Sequence, residues 1–495
     1  MTVISAADAA ATSTDPVDEP EDTPLDWGAI DWQAQQESVR RLRQRIFSAS
    51  QAGDLKRDRN LQKLMLRSRA NTLVSIRRVT EINAGGKTAG IDGQMALTAS
   101  GKAELAHWVQ HRTSPGTARP VKRVYIPKPG GKKRPLGIPV ILDRVEQARV
   151  CQALEPEWEA RFEPKSYGFR PGRGCQNAIA AIYWTAKGSR ARCRWVLDAD
   201  LAAAFNRIDH DHLLHQLGSF PVREQVKARL AEWLKPRGPA FNEDKTHVVH
   251  LDEGCDFLGF TICRYHGKLL IKPSREAVRR IRNRLGAEVR SLHGANAAVV
   301  LQRLNPIIRG WSAYYRSVVT SEVFTALDDY MWKLTYKWAT RAHPNKPRHW
   351  VTARYYGTFN KSRQDQWVFG NRDSGAYLLK FVWTKIVRHQ MVHGSASPDD
   401  PALATYWAER RRTSAPPPID RAILRLLQAQ NGQCLICRGL LLHADDSSSS
   451  PTEREQWARV TRRAITTRMI TYRGIGTSDG GRLRLTHSSC AAACL

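Results

Sequence analysis

An acidic stretch directly follows a short apolar run in the middle of the chain. The run Trp195-Val196-Leu197 leads into Asp198 and Asp200. A run of this length predicts a buried strand, here one that delivers carboxylates at its end. Carboxylate oxygens suit a hard cation such as Mg²⁺, and two such cations can clamp a phosphoryl group during phosphodiester bond formation. The alternative is an ordinary strand followed by an exposed acidic turn, and the flanking sequence decides between the two.

The charge of the chain indicates a polyanionic partner. Its 495 residues include 77 Lys and Arg against 47 Asp and Glu, a formal net charge of +30. Residues 1–39 hold nine acidic residues and no basic one, so the remainder carries 77 basic against 38 acidic residues, or +39. Such an excess favours a nucleic acid over a generic solubility charge, but charge alone does not separate RNA from DNA.

The sequence also predicts the compartment. No apolar run approaches the length of a membrane span, so a membrane partner is not expected, and no signal peptide is recognisable. The nine cysteines are scattered and odd in number, which indicates reduced thiols in a cytosol. We expect a cytoplasmic protein of a bacterium, associated with the nucleoid.

Four blocks of the sequence resemble the reverse transcriptase/maturase proteins that group II introns encode. They occur in the family's order, and the similarity extends from about residue 51 to about residue 370. The blocks are RVYIPKPGGKKRPLGIP at 123–139, SYGFRPGRGC at 166–175, the Asp200 segment and FLGF at 257–260. The resemblance implies an α+β fold of right-hand polymerase type: fingers, a shortened palm, a helical thumb and a small zinc module.

The resemblance and the composition together divide the chain into six segments. These are a disordered acidic tail (1–39), a basic helical reverse-transcriptase extension (40–118), fingers and an internally deleted palm (119–272), the maturase (X) or thumb domain (273–395), a linker (396–418) and a degenerate HNH-like zinc module (419–495).

The polymerase site is predicted to be incomplete. The resemblance makes Asp200 the first catalytic aspartate and a residual Mg²⁺ ligand. The family's second carboxylates lie in a Tyr-Ala-Asp-Asp hairpin, and no such sequence occurs between Asp200 and Phe257. Since one carboxylate strand cannot clamp two metal ions, RNA-directed DNA polymerase activity should be lost or very weak. The alternatives are an active polymerase that supports intron retrohoming, or a non-functional remnant, because the gap also removes palm strands.

Two groups of residues are expected to contact nucleic acid. The resemblance implies template or nucleotide contacts for Lys128, Lys133, Arg134 and Arg170. In the thumb, basic residues alternate with aromatic ones, a pattern that suits RNA because bases stack on rings while cations hold phosphates. These residues are Arg279, Arg280, Arg282, Arg284, Arg309, Trp311, Tyr314, Tyr315, Lys333 and Lys337. For individual rings, a place in the core is the favoured alternative. The implied role is to bind group II intron RNA and assist its splicing.

The C-terminal segment contains cysteine pairs with nearly the spacing of a structural zinc site. Cys434 and Cys437 have the usual spacing, whereas Cys490 and Cys494 lie one residue too far apart, and His487 is a further candidate ligand. Ordinary thiols are the alternative. The resemblance implies an HNH-type endonuclease at this position, but the paired histidines that activate water are not evident. We therefore expect a degenerate module that binds Zn²⁺ and target DNA or RNA without cutting.

Overall fold

The computed structural model describes most of the chain between residues 25 and 413 and short parts of the C-terminal segment. The described residues are 25–111, 119–127, 133–188, 191–199, 201–202, 240–241, 247–360, 363–413, 426, 429–430, 434, 465–470 and 482–487. They form a mixture of helices and small antiparallel sheets, as the sequence predicts. None of the helices within these segments is both long and apolar enough to cross a bilayer.

The first half of the described chain is mainly helical. Its elements are α1 (Trp32–Gln51), α2 (Leu55–Arg67), α3 (Arg69–Arg77), a π-helical turn (Arg78–Ile82), a 3₁₀ turn (Ala84–Lys87), α4 (Ala99–His111), α5 (Ile141–Glu159) and α6 (Cys175–Ala186). Side chains set the helix starts: the carboxylate of Asp54 accepts from Arg57 N at 3.0 Å, and the Ser68 hydroxyl accepts from Asn71 N at 3.3 Å. Apolar residues of α1, α2 and α3 pack on α5 in one core.

The prediction of a disordered tail over 1–39 is wrong for residues 25–39. Helix α1 begins at Trp32, and both Trp27 and Trp32 are buried. The indole nitrogen of Trp27 donates to Glu81 at 2.9 Å, and the Arg77 guanidinium lies 4.6 Å from the Trp32 ring centre. Two large rings buried in this way offset the ordering entropy of an otherwise polar, acidic segment.

The strands pair in small antiparallel sheets. They are β1 (Lys122–Pro127) with β2 (Lys133–Ile138), β3 (Trp195–Asp198) with β6 (His247–His250), β4 (Leu201–Ala202) with β5 (Ala240–Phe241), the three-stranded β7 (Cys255–Phe257), β8 (Phe260–Tyr265) and β9 (Lys268–Pro273), β10 (Tyr356–Gly357) with β11 (Val368–Phe369), and β12 (Ile465–Ile470) with β13 (Arg482–His487). The pair β3–β6 exposes about two thirds of Trp195, Leu197 and Val248.

A second helical group follows β9 and shares its core with β8 and β9. It consists of α7 (Arg275–Ser291), α8 (Ala297–Tyr315), α9 (Ser321–Ala342), α10 (Arg348–Tyr355) and the 3₁₀ turn Phe381–Trp383. A further 3₁₀ turn (Pro401–Leu403) and α11 (Ala404–Thr413) follow, and their apolar residues pack in a separate small cluster around Trp407.

The turn between β7 and β8 is tied to α8. Leu258 and Gly259 have φ values of 53° and 82°, the left-handed pair that a two-residue type I′ hairpin turn needs. The hydroxyls of Tyr314 and Tyr315 donate to the carbonyls of Leu258 and Gly259, each at 3.2 Å. The Phe-Leu-Gly-Phe block therefore forms a tight turn that two buried tyrosines hold against the helical group.

Residues 390–413, which we name the C-terminal strap, pack back onto the first half of the chain. Arg43 of α1 forms a bidentate ion pair with Asp399, in which Nε donates to Oδ1 at 2.8 Å and Nη2 donates to Oδ2 at 2.7 Å. Arg173 donates to the carbonyls of Gly394 and Ala396, and the strap buries Trp407. The prediction of a linker from residue 396 onwards is therefore wrong as far as residue 413, because one ion pair, the hydrogen bonds of Arg173 and a buried indole anchor this segment.

Candidate nucleic-acid interface

Helix α7 carries its arginines opposite a buried apolar stripe. The helix begins at the Ser274 cap, whose hydroxyl accepts from Ala277 N at 3.1 Å. Ile281, Leu285 and Val289 recur every four residues and are buried. This period places the apolar stripe on the core side and leaves the other face to the cations.

The four arginines predicted on α7 occupy that outer face. Arg279, Arg280 and Arg282 are exposed, and Arg284 is partly exposed. Arg279 is ion-paired with Glu276 one turn earlier. The Arg282 guanidinium lies 4.6 Å from the ring centre of Tyr330, a residue of α9. Because the ion pair of Arg279 is exposed, it contributes little to stability and leaves the cation available to a phosphate.

The lysines predicted on α9 also face outward. Lys333 and Lys337 are exposed and stand four residues apart, on the same side of the helix. Lys333 pairs with Asp329 at 2.7 Å, again in an exposed position. Tyr330 joins this helix to α7, since its hydroxyl donates to the carbonyl of Arg282 at 3.2 Å. The structure thus brings six of the predicted cations onto two neighbouring helices.

The predicted aromatic contacts lie in the core. Trp311, Tyr314 and Tyr315 are 5%, 1% and 2% exposed, so no base can stack on them in this conformation. The Trp311 ring packs on Phe324 and Phe381, with centres 6.0 and 5.8 Å apart. The core alternative considered for individual rings therefore holds for these three. Arg309, two positions before Trp311, is partly buried.

The predicted template-binding residues have different environments. Lys133 and Arg134 are exposed on β2, and Lys128 lies outside the described residues. Arg170 is buried: its Nε and Nη2 donate to Glu159 at 2.8 and 3.1 Å, and its Nη1 donates to two carbonyls. All three nitrogens of this guanidinium bind partners inside the fold, so Arg170 has a structural role here. The nucleotide contact predicted for Arg170 is therefore wrong in this conformation.

The Asp200 region is described only at its flanks. Asp198 ends β3 and is partly buried, whereas Asp200 and residues 203–239 lie outside the described part. Burial raises the pKa of the Cys255 thiol, and the carboxylates of Asp198 and Asp256 raise it further. Among the residues that the structure describes, no three His, Cys, Asp or Glu side chains are grouped as a metal site would require.

The predicted zinc ligands fall almost entirely outside the described residues. Cys434 is described and is buried. The structure does not describe Cys437, Cys490 and Cys494, and it describes only the backbone of His487, at the end of β13. The Gln430 amide joins the start of this region to β13, because it donates to the carbonyl of Leu485 at 2.9 Å and accepts from its N–H at 2.8 Å.

Three family models match the chain in the order that the sequence predicts. Residues 27–109 match the N-terminal domain of reverse transcriptase, residues 126–230 match reverse transcriptase (RNA-dependent DNA polymerase), and residues 278–356 match the group II intron, maturase-specific domain. The chain is similar to group II intron reverse transcriptases and maturases. The maturase-specific match spans nearly all of α7 and the whole of α8, α9 and α10, and so includes the exposed cations described above.

Curated relatives agree with this similarity. Protein YkfC of Escherichia coli (strain K12) is 36% identical over 156 residues, which cover 30% of this chain and 41% of that protein. Group II intron-encoded protein LtrA of Lactococcus lactis subsp. cremoris is 41% identical over 97 residues, 19% of this chain and 16% of LtrA. Maturase-like protein 1 of Euglena gracilis is 27% identical over 190 residues, 38% of this chain and 41% of that protein. The matched regions thus span about two fifths of these relatives' length or less.

The reverse transcriptase and maturase parts of the resemblance are thereby confirmed. The match to the reverse transcriptase model ends at residue 230, before the position at which the missing acidic hairpin would stand. The HNH-like module and its zinc ion stay predictions.

Proposed function

We propose that this chain binds group II intron RNA through the outer faces of α7 and α9 and assists splicing of that RNA. One observation carries the proposal: the segment that matches the group II intron maturase-specific domain presents six of its cations on two adjacent helices. A double-stranded or folded RNA offers phosphates along its surface, and exposed arginines can bind them through bidentate hydrogen bonds.

A filter-binding titration with group II intron RNA tests this proposal. Neutralised phosphates release counterions, so the affinity should fall steeply as the salt concentration rises. Each phosphate contact that is removed lowers the salt slope by about one. We therefore expect a slope lower by about three or four in the variant R279A/R280A/R282A/R284A.

A variant of equal charge change serves as the control. It replaces four exposed cations that lie off α7 and α9, namely Lys268, Lys346, Arg348 and Lys385. Circular dichroism should show a native fold for both variants, because exposed cations contribute little to stability. Equal losses of RNA affinity in the two variants would mean that the α7 arginines act only through the net charge of the chain. A splicing time course of the intron RNA with each variant then tests the assisting role.

We further propose that RNA-directed DNA polymerase activity is lost or very weak. The support is the sequence itself, because no Tyr-Ala-Asp-Asp hairpin stands between Asp200 and Phe257. A site with carboxylates from one strand only would hold Mg²⁺ poorly and could not clamp both reacting oxygens. Primer extension that disappears on Asp200→Ala would instead favour an active polymerase.

The C-terminal segment is proposed as a zinc-binding module that contacts target DNA or RNA without cutting it. The cysteine spacing supports the metal, and the basic composition supports a polyanionic ligand. A cytoplasmic location fits thiolate ligands, since thiols remain reduced there.

A further inference from the structure

A groove lined by two indoles lies beyond the segment that matches the maturase-specific domain. Its volume is about 440 Å³, within the ~300–1,000 Å³ typical of sites for small ligands. The lining residues are Arg363, Gln364, Asp365, Gln366, Trp367 and Trp383. None of them belongs to the α7 and α9 faces, so the groove is a separate feature of the surface.

Neighbouring residues support the ring of Trp367 and the backbone turn that carries Trp383. The ring centres of Trp332 and Tyr356 each lie 6.3 Å from that of Trp367, yet Trp367 is 54% exposed. Trp383 belongs to the 3₁₀ turn Phe381–Trp383, whose first two N–H groups donate to the carboxylate of Asp328 at 2.7 and 3.0 Å. An open aromatic face on a fixed backbone is a preformed stacking surface.

The charged groups of the groove favour an anionic ligand. The Arg363 guanidinium lies 5.3 Å from the Trp383 ring centre, at the groove. Asp365 is paired with Lys380 at 2.7 Å and also accepts from Trp367 N at 3.2 Å, so its charge is balanced. Two indoles could also hold a quaternary ammonium group, but the charge of Arg363 would repel a cation.

We propose that this groove binds one unpaired nucleotide of a single-stranded polynucleotide. The base stacks on the open face of Trp367, Arg363 pairs with an adjoining phosphate, and the amides of Gln364 and Gln366 reach the edge of the base. Stacking needs an unstacked base, so a duplex does not fit. The proposal rests on the proposed function only in taking a polynucleotide as the ligand.

Equilibrium binding of the full chain to three fluorescent probes tests the site. The probes are a ten-nucleotide single-stranded RNA, a DNA of the same sequence and a blunt RNA duplex, each titrated at several salt concentrations. Trp367→Ala should weaken binding of the single strands about 5- to 100-fold, with an unchanged salt slope and unchanged duplex binding. Trp367→Phe should recover most of the loss, since it keeps a ring. Arg363→Ala should lower the salt slope by about one.

Trp184→Ala is the matched control, since Trp184 is 59% exposed and carries the ammonium of Lys187 over its ring at 3.4 Å. Its effect should stay below about twofold. The proposal is overturned if Trp367→Ala binds single strands as the parent does, matches Trp184→Ala, or weakens the duplex equally. Equal losses for RNA and DNA assign recognition to base and phosphate, and a loss confined to RNA assigns it to the 2′-hydroxyl as well. A parent chain that binds the duplex, or intron RNA in the filter-binding titration, but neither single strand would overturn this site and leave the proposed function standing.

Discussion

Asp58 is a fully buried carboxyl group. Among the residues that the structure describes, neither of its oxygens has a hydrogen-bond partner, and Nη1 of Arg59 lies 3.6 Å from Oδ2. Burial, and then the carboxylate of Glu157 on α5, raise the pKa of Asp58 from 3.8 to about 6. At neutral pH the fold therefore contains a costly buried charge, and Asp58→Asn should stabilise the packing of α2 on α5.

The pKa of Asp58 sets both the sign and the size of this effect. The folded chain holds the proton more tightly than the unfolded chain does, so the stability that protonation contributes is fully present below pH 3.8. That stability is lost as the pH rises through about 6. Since one pKa unit corresponds to about 1.4 kcal/mol, the loss amounts to about 3 kcal/mol above pH 7. The asparagine variant escapes this loss but buries an amide, so we expect a gain of about 1–3 kcal/mol at pH 7.5 and little at pH 4.

Hydrogen exchange of the α2 and α5 amides measures the local opening free energy directly, which suits a chain with several packed units. The control is Asp54→Asn on the same helix. Asp54 is exposed, and asparagine caps a helix as well as aspartate does, so this change should stay within about 0.5 kcal/mol. No gain at pH 7.5, or an equal gain at pH 4 and pH 7.5, would refute the argument from a buried charge.

Four further outcomes follow from particular contacts. Gly259→Ala should lower the free energy of unfolding by about 1–3 kcal/mol, because its Cβ would lie 2.8 Å from the hydroxyl of Tyr315. Gly267 has a similar φ but open space around it, so Gly267→Ala should lower the melting temperature less in a thermal scan. Arg43→Met should lower the free energy of unfolding by about 3–5 kcal/mol, because it leaves the buried carboxylate of Asp399 and the partly buried one of Glu155 without their cation; limited proteolysis should then cut the C-terminal strap sooner. Primer extension on an RNA template with Mg²⁺ should give no product above background, before or after Asp200→Ala. Elemental analysis should find about one zinc ion per chain, lost on Cys434→Ser, with no metal-dependent nicking of duplex DNA.

The helical periods of the second half could be predicted from sequence, and so could the outward face of α7. The position of the aromatic residues could have been predicted too. Trp311 and Tyr315 continue the i, i+4 stripe that Ile307 begins on α8, and such a stripe is typical of a core face. The basic residues around them are typical of an RNA-binding surface, but the periodicity is the stronger signal.

Other features depend on contacts between segments that are far apart in sequence. Nothing local to Arg170 identifies Glu159, eleven residues earlier, as its partner. Trp367 and Trp383 lie in irregular segments without a helix or strand period, so no pattern predicts that they line one groove. The prolines and charges of the C-terminal strap are typical of a linker, and the residues that fix it, Arg43 and Arg173, lie more than 200 residues earlier in the chain.

Burial divides the arginines of this chain into two kinds with opposite consequences. Arg43, Arg170 and Arg173 donate to carboxylates or carbonyls inside the fold, and the cost of desolvating them is met by those partners. Arg280 and Arg282 keep their guanidinium groups at the surface. Only the second kind can displace counterions from a polyanion. The net charge of +30 therefore overstates the number of phosphate contacts, and the salt slope of binding should follow the exposed cations instead, those of α7 and α9 among them.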